Sequence, residues 1–374
     1  MICKDRMMKK PFVTVLMPVY NGGEYLKTSV RSVLNQTYRE FEFLIINDCS
    51  TDNSVEIIKS FNDERIVIHN NKTNLGQTKS LNVGLKLARG KYVARMDADD
   101  MAFPQWIERT FVYINKHPDY AAVGTWAVVI DGTGRKKKLL KTPIGFEGVL
   151  FHIFFGNAIN HVGAILNKEI ILRHGGYDEK FRIAQDYELW SSLIRNNYCI
   201  ISIPEILVSV RVHENSLGFM EEKNKGLHEV AQTIHRNINN LAGLKISLED
   251  AVKMRMFYRY PDQMTDEDFK NIFELYIKVF INLKEKFRFD TELLGAKLKR
   301  QMLTPFCKRA ISEILNGRPK NARKIIFDYD RQFGFHFILS LISFMSFLGK
   351  PAVKKMPLIY EMLQETAARI NTRR

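Results

Sequence analysis

Four short runs rich in Val, Ile, Leu and Phe alternate with helical segments between residues 12 and 124. The helical segments place apolar residues on one face, as Leu26, Val30, Val33 and Leu34 do in YLKTSVRSVLNQ. A helix between two such strands returns the chain across one face of a parallel sheet. The pattern therefore predicts an α/β fold. The four candidate strands are FVTVLMPV, FEFLIIN, RIVIH and KYVARM.

The rest of the chain predicts a completed sheet followed by a helical region. Residues 125–218 hold a basic run at 135–138, the strand-like AINHVGAILN, and the β-like runs YCIISI and EILVSVRVH. Beyond them the β signals fade, and stretches such as EDFKNIFELYIKVFINLKEKF have helical periodicity. We therefore predict one domain over 1–218, with halves at 12–124 and 125–218, and a basic helical region over 219–374.

Cysteine use and the N-terminal sequence both indicate a reducing compartment. Cys3, Cys49, Cys199 and Cys307 lie far apart, without the spacing of a zinc site or the density of a disulfide framework. The apolar run after the basic N-terminus is short, contains Pro18 and lacks a small-residue cleavage site. We interpret it as a first strand and not as a signal peptide, and we expect a cytoplasmic protein.

The charge of the chain favours an anionic partner. The formal net charge is +15 over 374 residues, and most of the excess lies beyond residue 226. Nucleic acid, a phosphorylated substrate and an acidic membrane surface all fit such a charge, but no nucleic-acid motif stands out and we expect no nucleic acid to bind. The run FGFHFILSLISFMSFLG at 333–349 is shorter than the about 20 apolar residues of a membrane-spanning helix. It predicts either a buried helix or an interfacial contact with an anionic membrane, because lysines follow it.

Three carboxylates crowd into the four positions that follow the strand KYVARM. Asp97, Asp99 and Asp100 repel one another unless water, a cation or hydrogen-bond donors balance their charge. Open α/β sheets bind ligands at the carboxyl ends of their strands, and Ala98 leaves space between the first two acids. Carboxylates favour Mg²⁺ or Mn²⁺, which bind together with substrate phosphates. Capping of the helix near Pro104 is the alternative, and it explains one acid better than three.

Two other strand ends carry polar or small residues. In INDCSTDNS, Asp48 can accept hydrogen bonds from a base or a ribose, whereas Asp52 is expected to cap the next helix. The turn PVYNGGEYL brings backbone and the ring of Tyr20 close to a ligand. It has neither the GxGxxG spacing of a dinucleotide-binding turn nor the GxxxxGK[ST] of a P-loop, which argues against a dehydrogenase or an ATPase.

Candidates for proton transfer follow later in the chain. In KFRIAQDYELW, Asp186 begins a helix beside aromatic residues, where it can serve as a general base or as the N-cap. His213 in SVRVHENS ends a strand-like run, and it is either an exposed histidine or a residue that reaches phosphates or a metal. We interpret His161 in NAINHVGA as structural.

Together these motifs resemble the inverting glycosyltransferases of family 2, which have the GT-A fold. The resemblance spans residues 12–217 and runs in the family's order through VTVLMPVYNGGEYL, QTYREFEFLIINDCSTDNS, NLGQTKSLNVGLKLARGKYVARMDADD, GGYDEKFRIAQDYELW and VRVHENS. It implies a mixed, mostly parallel sheet flanked by helices, with residues 1–218 as the catalytic domain and a helical appendage after it. It also implies a nucleotide-sugar donor; UDP-sugars are the family's commonest type, and dTDP- and GDP-sugars are the alternatives.

The resemblance also implies roles for individual residues. Asp186 matches the base that deprotonates the acceptor hydroxyl, whereas Asp99 and His213 match positions at the metal, Mn²⁺ or Mg²⁺. The position before the base is usually Glu in the family and is Gln185 here, a departure that bears on how the acceptor is positioned. The implied donor-binding residues are Pro18, Val19, Tyr20, Asp48, Lys79, Asp97 and Ala98.

The sequence therefore predicts a metal-dependent glycosyltransferase in cell-surface polysaccharide or glycolipid biosynthesis. We expect a glycan or lipid-linked acceptor and a cytoplasmic enzyme in peripheral contact with the inner face of the membrane. A sugar-phosphate nucleotidylyltransferase is one alternative, although PVYNGGEYL lacks the basic loop that grips a triphosphate. A non-catalytic scaffold at an anionic membrane is the other, because the C-terminal half is basic.

Overall fold

The computed structural model describes residues 12–213 and 226–287, together with part of 301–325. Two sequence-based expectations fall outside these residues. One is the domain boundary at 218, and the other is the contact made by the apolar run at 333–349. The chain forms two compact units, which meet in sequence between Leu241 and Ala242.

The first unit contains a nine-stranded mixed sheet. Across the sheet the order is β3-β2-β1-β4-β8-β6-β9-β5, with β7 paired to β6. Parallel pairs join β1 to β2 and β4, β2 to β3, and β6 to β9, whereas the other pairs are antiparallel. The strands are β1 (Val13–Val19), β2 (Phe41–Asn47), β3 (Ile66–Asn70), β4 (Tyr92–Arg95), β5 (Met101–Ala102), β6 (Tyr120–Asp131), β7 (Lys136–Leu140), β8 (Ile165–Asn167) and β9 (Cys199–Val212).

Helices flank this sheet, which confirms the α/β fold and the mostly parallel sheet expected from the sequence. The apolar face of the first helix is buried as predicted, through Leu26, Val30, Val33 and Leu34. The third helix packs on β1 and the fourth on β6. The helices are α1 (Leu26–Leu34), α2 (Ser54–Lys59), α3 (Gln77–Leu87), α4 (Trp106–Lys116), α5 (Gly145–His152), α6 (Lys168–Arg173), α7 (Gln185–Arg195) and α8 (Leu227–Asn237).

The parallel half of the sheet brings three strand ends to one edge. β1 and β2 are buried along their full length, which is why apolar residues dominate both runs in the sequence. They pair in register up to Val19 opposite Asn47, and β4 pairs with β1 up to Arg95 opposite Leu16. The loops after β1, β2 and β4 therefore leave the sheet at the same edge, where a parallel sheet binds its ligands.

The structure corrects two strand predictions. Only Ile165–Asn167 of the run AINHVGAILN is a strand, and Gly163 before it has a φ of +85°, a left-handed conformation that interrupts extended backbone. The runs YCIISI and EILVSVRVH form the single strand β9 instead of two. Pro204 fits within it because the pairing with β6 shifts register between Thr125 and Trp126, and a proline without an N–H is tolerated at such an irregularity.

The described part of the second unit is helical. It contains α9 (Leu248–Arg259) and α10 (Asp266–Phe287), as the periodicity of this region predicts. The two helices pack through aromatic rings, with the centroids of Phe257 and Phe269 4.5 Å apart. No helix in the ranges given above is long and apolar enough to cross a membrane.

Candidate active site

Hydrogen bonds tie the loop after β1 to the loop after β2. The backbone N–H groups of Asn21 and Gly23 donate to Ser50 Oγ at 3.0 Å and to Asp52 Oδ2 at 3.2 Å. Asp52 also accepts from the backbone N–H of Ser54, the first residue of α2, at 3.1 Å. Partial burial acts to raise the pKa of Asp52, but the hydrogen bonds from Ser54 and Gly23 outweigh it and lower this pKa below its usual value. The N-cap position of α2 is Asn53, one residue later than expected, and Asp52 instead holds Ser54 at the start of the helix and fastens the first loop.

The residues expected to line the donor differ in exposure. Pro18 and Val19 are buried in β1, whereas Tyr20 is 52% exposed. Lys79 is exposed on α3, and Ala98 is half-buried in the acidic segment, which comprises residues 97–100. Of the three consecutive residues at the end of β1, only Tyr20 thus presents a broad ring surface to a ligand.

Asp48 is buried at the end of β2 and holds the loop that precedes α3. Its Oδ1 accepts hydrogen bonds from Asn71 Nδ2 at 2.7 Å and from the backbone N–H of Leu75 at 2.8 Å. Its Oδ2 accepts from the backbone N–H of Gly76 at 2.8 Å. A carboxylate oxygen can accept two hydrogen bonds, so this fixed carboxylate has capacity for a further donor.

Asp97, Asp99 and Asp100 meet after β4, with one oxygen of each within 4.8 Å of the others. Burial and the charge of Asp97 raise the pKa of Asp99, and burial and its two neighbours raise the pKa of Asp100 further. A cation placed among these oxygens would relieve the repulsion that raises both values. Hard oxygen donors are those that Mg²⁺ and Mn²⁺ prefer, so the residues present fit a divalent metal.

Asp100 anchors the acidic segment to β9. It is 3% exposed, and its Oδ1 accepts the backbone N–H of Arg211 at 2.6 Å. Arg211 donates in return from Nε to the carbonyl oxygen of Asp99 at 3.0 Å, and from Nη1 to that of Asp131 at 3.1 Å. Its guanidinium lies 4.3 Å from the centroid of the Tyr25 ring. Asp100 and Arg211 together fix the position of Asp99.

His213 lies directly after β9 and contacts the acidic segment. Its Nε2 is 2.9 Å from Oδ2 of Asp99, and its ring centroid is 5.4 Å from that of Tyr25. The side chain of His213 is 22% exposed. The structure thus brings together the two residues that the family resemblance places at the metal.

Asp186 lies in the first turn of α7. The N-cap position is Ala184, so the alternative in which Asp186 caps the helix is wrong. Its Oδ2 accepts a hydrogen bond from Asn157 Nδ2 at 2.6 Å, and its Oδ1 accepts the backbone N–H of Tyr187 at 2.8 Å. Each oxygen therefore accepts a hydrogen bond that helps to orient the carboxylate.

The chain before α7 is held by Glu229 of α8. Oε2 of Glu229 accepts three successive backbone N–H groups, those of Arg182 at 3.0 Å, Ile183 at 2.8 Å and Ala184 at 2.9 Å. Successive N–H groups that point at one anion form a favourable site for negative charge. Glu229 lies beyond the expected boundary at 218, yet it fixes the segment that leads to Asp186.

A chain of side-chain hydrogen bonds connects α7 to the acidic segment. Gln185 donates from Nε2 to Oε1 of Gln77 at 2.9 Å, and Gln77 donates from Nε2 to Oδ1 of Asp97 at 3.1 Å. Arg95 donates to the same Oδ1 at 2.5 Å. Arg95 is fully buried, and within the described residues its Nε and Nη1 have no hydrogen-bond partner. Asp97 is therefore oriented from two sides.

His161 and Tyr177 lie beside this chain, with His161 Nε2 2.8 Å from Tyr177 Oη. Burial and the charge of Arg95 lower the pKa of His161. Burial raises the pKa of Tyr177; the charge of Arg95 opposes this, and those of Asp186 and Asp97 add to it.

Several polar residues of the site were not anticipated from the sequence. Arg95 had a visible signal, because it is the one charged residue inside the apolar run YVARM that leads to the acids. The others act through contacts with distant parts of the chain, which no local pattern encodes. The unanticipated residues are Gln77, Arg95, Asn157, Arg211 and Glu229.

The sequence and the fold are similar to those of known glycosyltransferases. Residues 14–176 match the family described as "Glycosyl transferase family 2". An uncharacterized glycosyltransferase of Haemophilus influenzae is 30% identical over 319 residues, which cover 80% of this chain and 97% of that protein. The O-antigen biosynthesis glycosyltransferase WbnJ of Escherichia coli is 30% identical over 215 residues, which cover 54% of this chain and 81% of that protein. The structure of S. aureus TarS 1-349 in complex with UDP-GlcNAc shares the fold, with a TM-score of 0.52 at 16% identity over 87% of this chain and 93% of that one.

Proposed function

Because the chain belongs to glycosyltransferase family 2, we propose that it moves a sugar from a nucleotide-diphosphate sugar to an acceptor hydroxyl with Mn²⁺ or Mg²⁺ as cofactor. UDP-sugar is the proposed donor, since it is the commonest donor type in the family. The proposed acceptor is a glycan or lipid-linked glycan of a cell-surface polysaccharide or glycolipid, in keeping with the O-antigen role in the name of the E. coli relative. The family assignment leaves the nucleotidylyltransferase and scaffold alternatives without support.

The observation that carries this proposal is the acidic cluster at the carboxyl ends of the parallel strands. Asp97, Asp99 and Asp100 offer oxygens within 4.8 Å of one another, at the edge where the loops after β1 and β2 also emerge. We assign Asp99 and His213 to the metal and Asp97 to the ribose side of the donor. When bound, the metal neutralises the negative charge that builds up on the leaving nucleoside diphosphate.

Donor binding is assigned to the loops around this cluster. The carboxylate of Asp48 is fixed by its own loop and accepts a further donor from the base. The exposed ring of Tyr20 offers a stacking surface, and Lys79 supplies a positive charge on α3. Pro18, Val19 and Ala98 complete the wall with small or backbone groups.

Asp186 is the proposed general base. Asn157 and the backbone N–H of Tyr187 each donate to a different oxygen of its carboxylate and fix its orientation, and a carboxylate held in this way can accept a proton. The acceptor hydroxyl gives its proton to Asp186 as its oxygen bonds to the anomeric carbon. The bond from that carbon to the diphosphate breaks on the opposite face, so the anomeric configuration inverts in one displacement.

Two substitutions test this division of roles. Asp99→Ala should abolish metal-dependent nucleotide binding, because it removes the assigned metal ligand. Asp186→Asn should keep nucleotide binding within about twofold and lower kcat by about 10²–10⁴-fold, because an amide cannot take the acceptor's proton. Binding is measured by titration calorimetry, and turnover by release of the nucleoside diphosphate. Retention of most activity by Asp186→Asn would remove the base assignment and leave the donor assignment standing.

We also propose that the enzyme works in the cytoplasm, in peripheral contact with the inner face of the membrane through the basic C-terminal region. The motivation is the net charge of +15 and the basic residues that flank the run at 333–349, Arg331 before it and lysines after it. Flotation with liposomes that contain anionic lipid should recover the full chain, and recovery should fall when residues 331–355 are deleted. Equal recovery of the two proteins would refute this contact.

A further inference from the structure

Two glutamine side chains, those of Gln185 and Gln77, connect the starts of α7 and α3 to the acidic cluster. Gln185 is the first residue of α7 and Gln77 is the first residue of α3. Nε2 of Gln185 donates to Oε1 of Gln77 at 2.9 Å, and Nε2 of Gln77 donates to Oδ1 of Asp97 at 3.1 Å. Gln185 is 4% exposed, so water does not compete freely for this contact. Asp186, the proposed base, is the next residue of α7.

The carboxylate of Asp97 determines which group donates in each of these hydrogen bonds. An ionised Asp97 only accepts, so Gln77 must present its amide N–H₂ to Asp97 and its carbonyl oxygen to Gln185. The residue at position 185 must therefore donate. An ionised glutamate, the usual residue at this position in the family, has no proton to donate and would place two oxygens in contact. Gln77 thus presents an acceptor oxygen that suits the glutamine at position 185 and would not suit the family's usual glutamate.

We infer that Gln185 is a positioning residue that acts through Gln77 on Asp97. Arg95 and Gln77 both donate to Oδ1 of Asp97, and within the described residues Oδ2 receives no hydrogen bond, so Oδ2 is left to the ligand. The bonds from Gln185 to Gln77 and from Gln77 to Asp97 also hold the start of α7, and with it Asp186, against the acidic cluster. The inference rests on the proposed function, because the ligand of Asp97 is taken to be the ribose side of the metal-bound donor.

A simple packing contact between α3 and α7 would have different consequences. Loss of packing lowers thermal stability and leaves the binding of metal and nucleotide by the folded protein unchanged. Loss of the positioning contact lets Asp97 turn, so it weakens donor binding even where the protein stays folded. Binding by the folded protein therefore separates the two roles.

The test compares Gln185→Glu and Gln185→Met with the wild type. Neither ionised Glu nor Met can donate to Gln77, and Met keeps about the same side-chain length. We expect both variants to bind Mn²⁺ in the presence of UDP about tenfold to hundredfold more weakly, with a matching rise in the KM for the donor. Mn²⁺ binding is measured by electron paramagnetic resonance. Gln105→Glu, the same change at an exposed residue before α4, is the matched control and should bind like wild type.

A substitution of Gln77 tests the chain of hydrogen bonds that runs from residue 185 through residue 77 to Asp97. Lysine at position 77 donates to both neighbours, so Gln77→Lys combined with Gln185→Glu should recover most of the lost binding, whereas the same lysine combined with Gln185→Met should not. Normal Mn²⁺ binding by a folded Gln185→Met protein would overturn the inference. Failure of the wild type to bind Mn²⁺ with any nucleotide would overturn the proposed function instead. If Gln185→Glu does not fold, the Met variant still decides.

Discussion

The hydrogen bond that Asp100 makes with Arg211 does not require a charged carboxylate. Its Oδ1 accepts the backbone N–H of Arg211, and an amide oxygen can accept the same hydrogen bond. Burial and the charges of Asp99 and Asp97 raise the pKa of Asp100 well above its usual range. Because the folded protein holds this proton more tightly than the unfolded chain, ionisation of Asp100 lowers stability as the pH rises through its folded-state pKa.

We therefore predict opposite results for two substitutions of Asp100 in metal-free protein. Asp100→Asn should keep or raise the melting temperature at pH 7, since it retains the bond to Arg211 without the charge. Asp100→Ala should lower the free energy of unfolding by about 1–3 kcal/mol, because it leaves a buried N–H without a partner. Thermal and urea denaturation with EDTA measure both. A stability loss as large in Asp100→Asn as in Asp100→Ala would show that the charge itself is needed.

At the residue scale, the sequence predicted the acids and missed most of the residues that orient them. Asp97 and Asp99 were predictable because a strand end and a carboxylate cluster are both local patterns. The fixing of Asp48 by Leu75 and Gly76 depends on how a loop folds back, which local pattern does not encode. Asn157 was missed for the same reason, because its bond to the proposed base spans 29 positions.

At the element scale, the start of α7 depends on a carboxylate from another helix. Glu229 of α8 accepts the N–H groups of Arg182, Ile183 and Ala184, which otherwise would lack partners before the first turn. Asp186 follows directly, so the position of the proposed base depends on this contact. The loop and α7 are thereby coupled to α8.

We predict that Glu229→Ala lowers the free energy of unfolding by about 1–3 kcal/mol and also lowers kcat, because three donors lose their acceptor and the loop before Asp186 loosens. Glu229→Gln keeps an acceptor oxygen and should stay within about 1 kcal/mol of wild type. Urea denaturation and the rate of nucleoside diphosphate release measure the two effects. Full activity in a destabilised Glu229→Ala protein would separate this contact from catalysis.

The predictability of the elements follows from where their side chains lie. β1 to β4 and α1 were predicted because β1, β2 and β4 are continuously buried and α1 has one buried face. β9 was split in the prediction because Pro204 normally ends a strand, and only the register shift against β6 shows how the proline is accommodated. Local pattern also could not show that the chain before Gly163 leaves the sheet.

At the scale of the whole molecule, every residue assigned to donor, metal or base lies within the first compact unit, Met1–Leu241. The sequence motifs behind these assignments end at residue 217. Most of the net charge of +15 lies beyond residue 226, in a part of the chain to which no catalytic residue is assigned. The similarity to the Haemophilus influenzae protein covers 80% of the chain, so it extends well past the matched family region at 14–176.

The central claim is that the acidic cluster binds a metal together with the diphosphate of a nucleotide. Isothermal titration of UDP, GDP and dTDP into the full chain, with Mn²⁺ and again with EDTA, tests it most directly. We predict that one nucleotide, UDP, binds with Mn²⁺ and that the binding is lost with EDTA. Binding of the same nucleotide with equal affinity in EDTA, or no binding of any of the three under either condition, would contradict the claim.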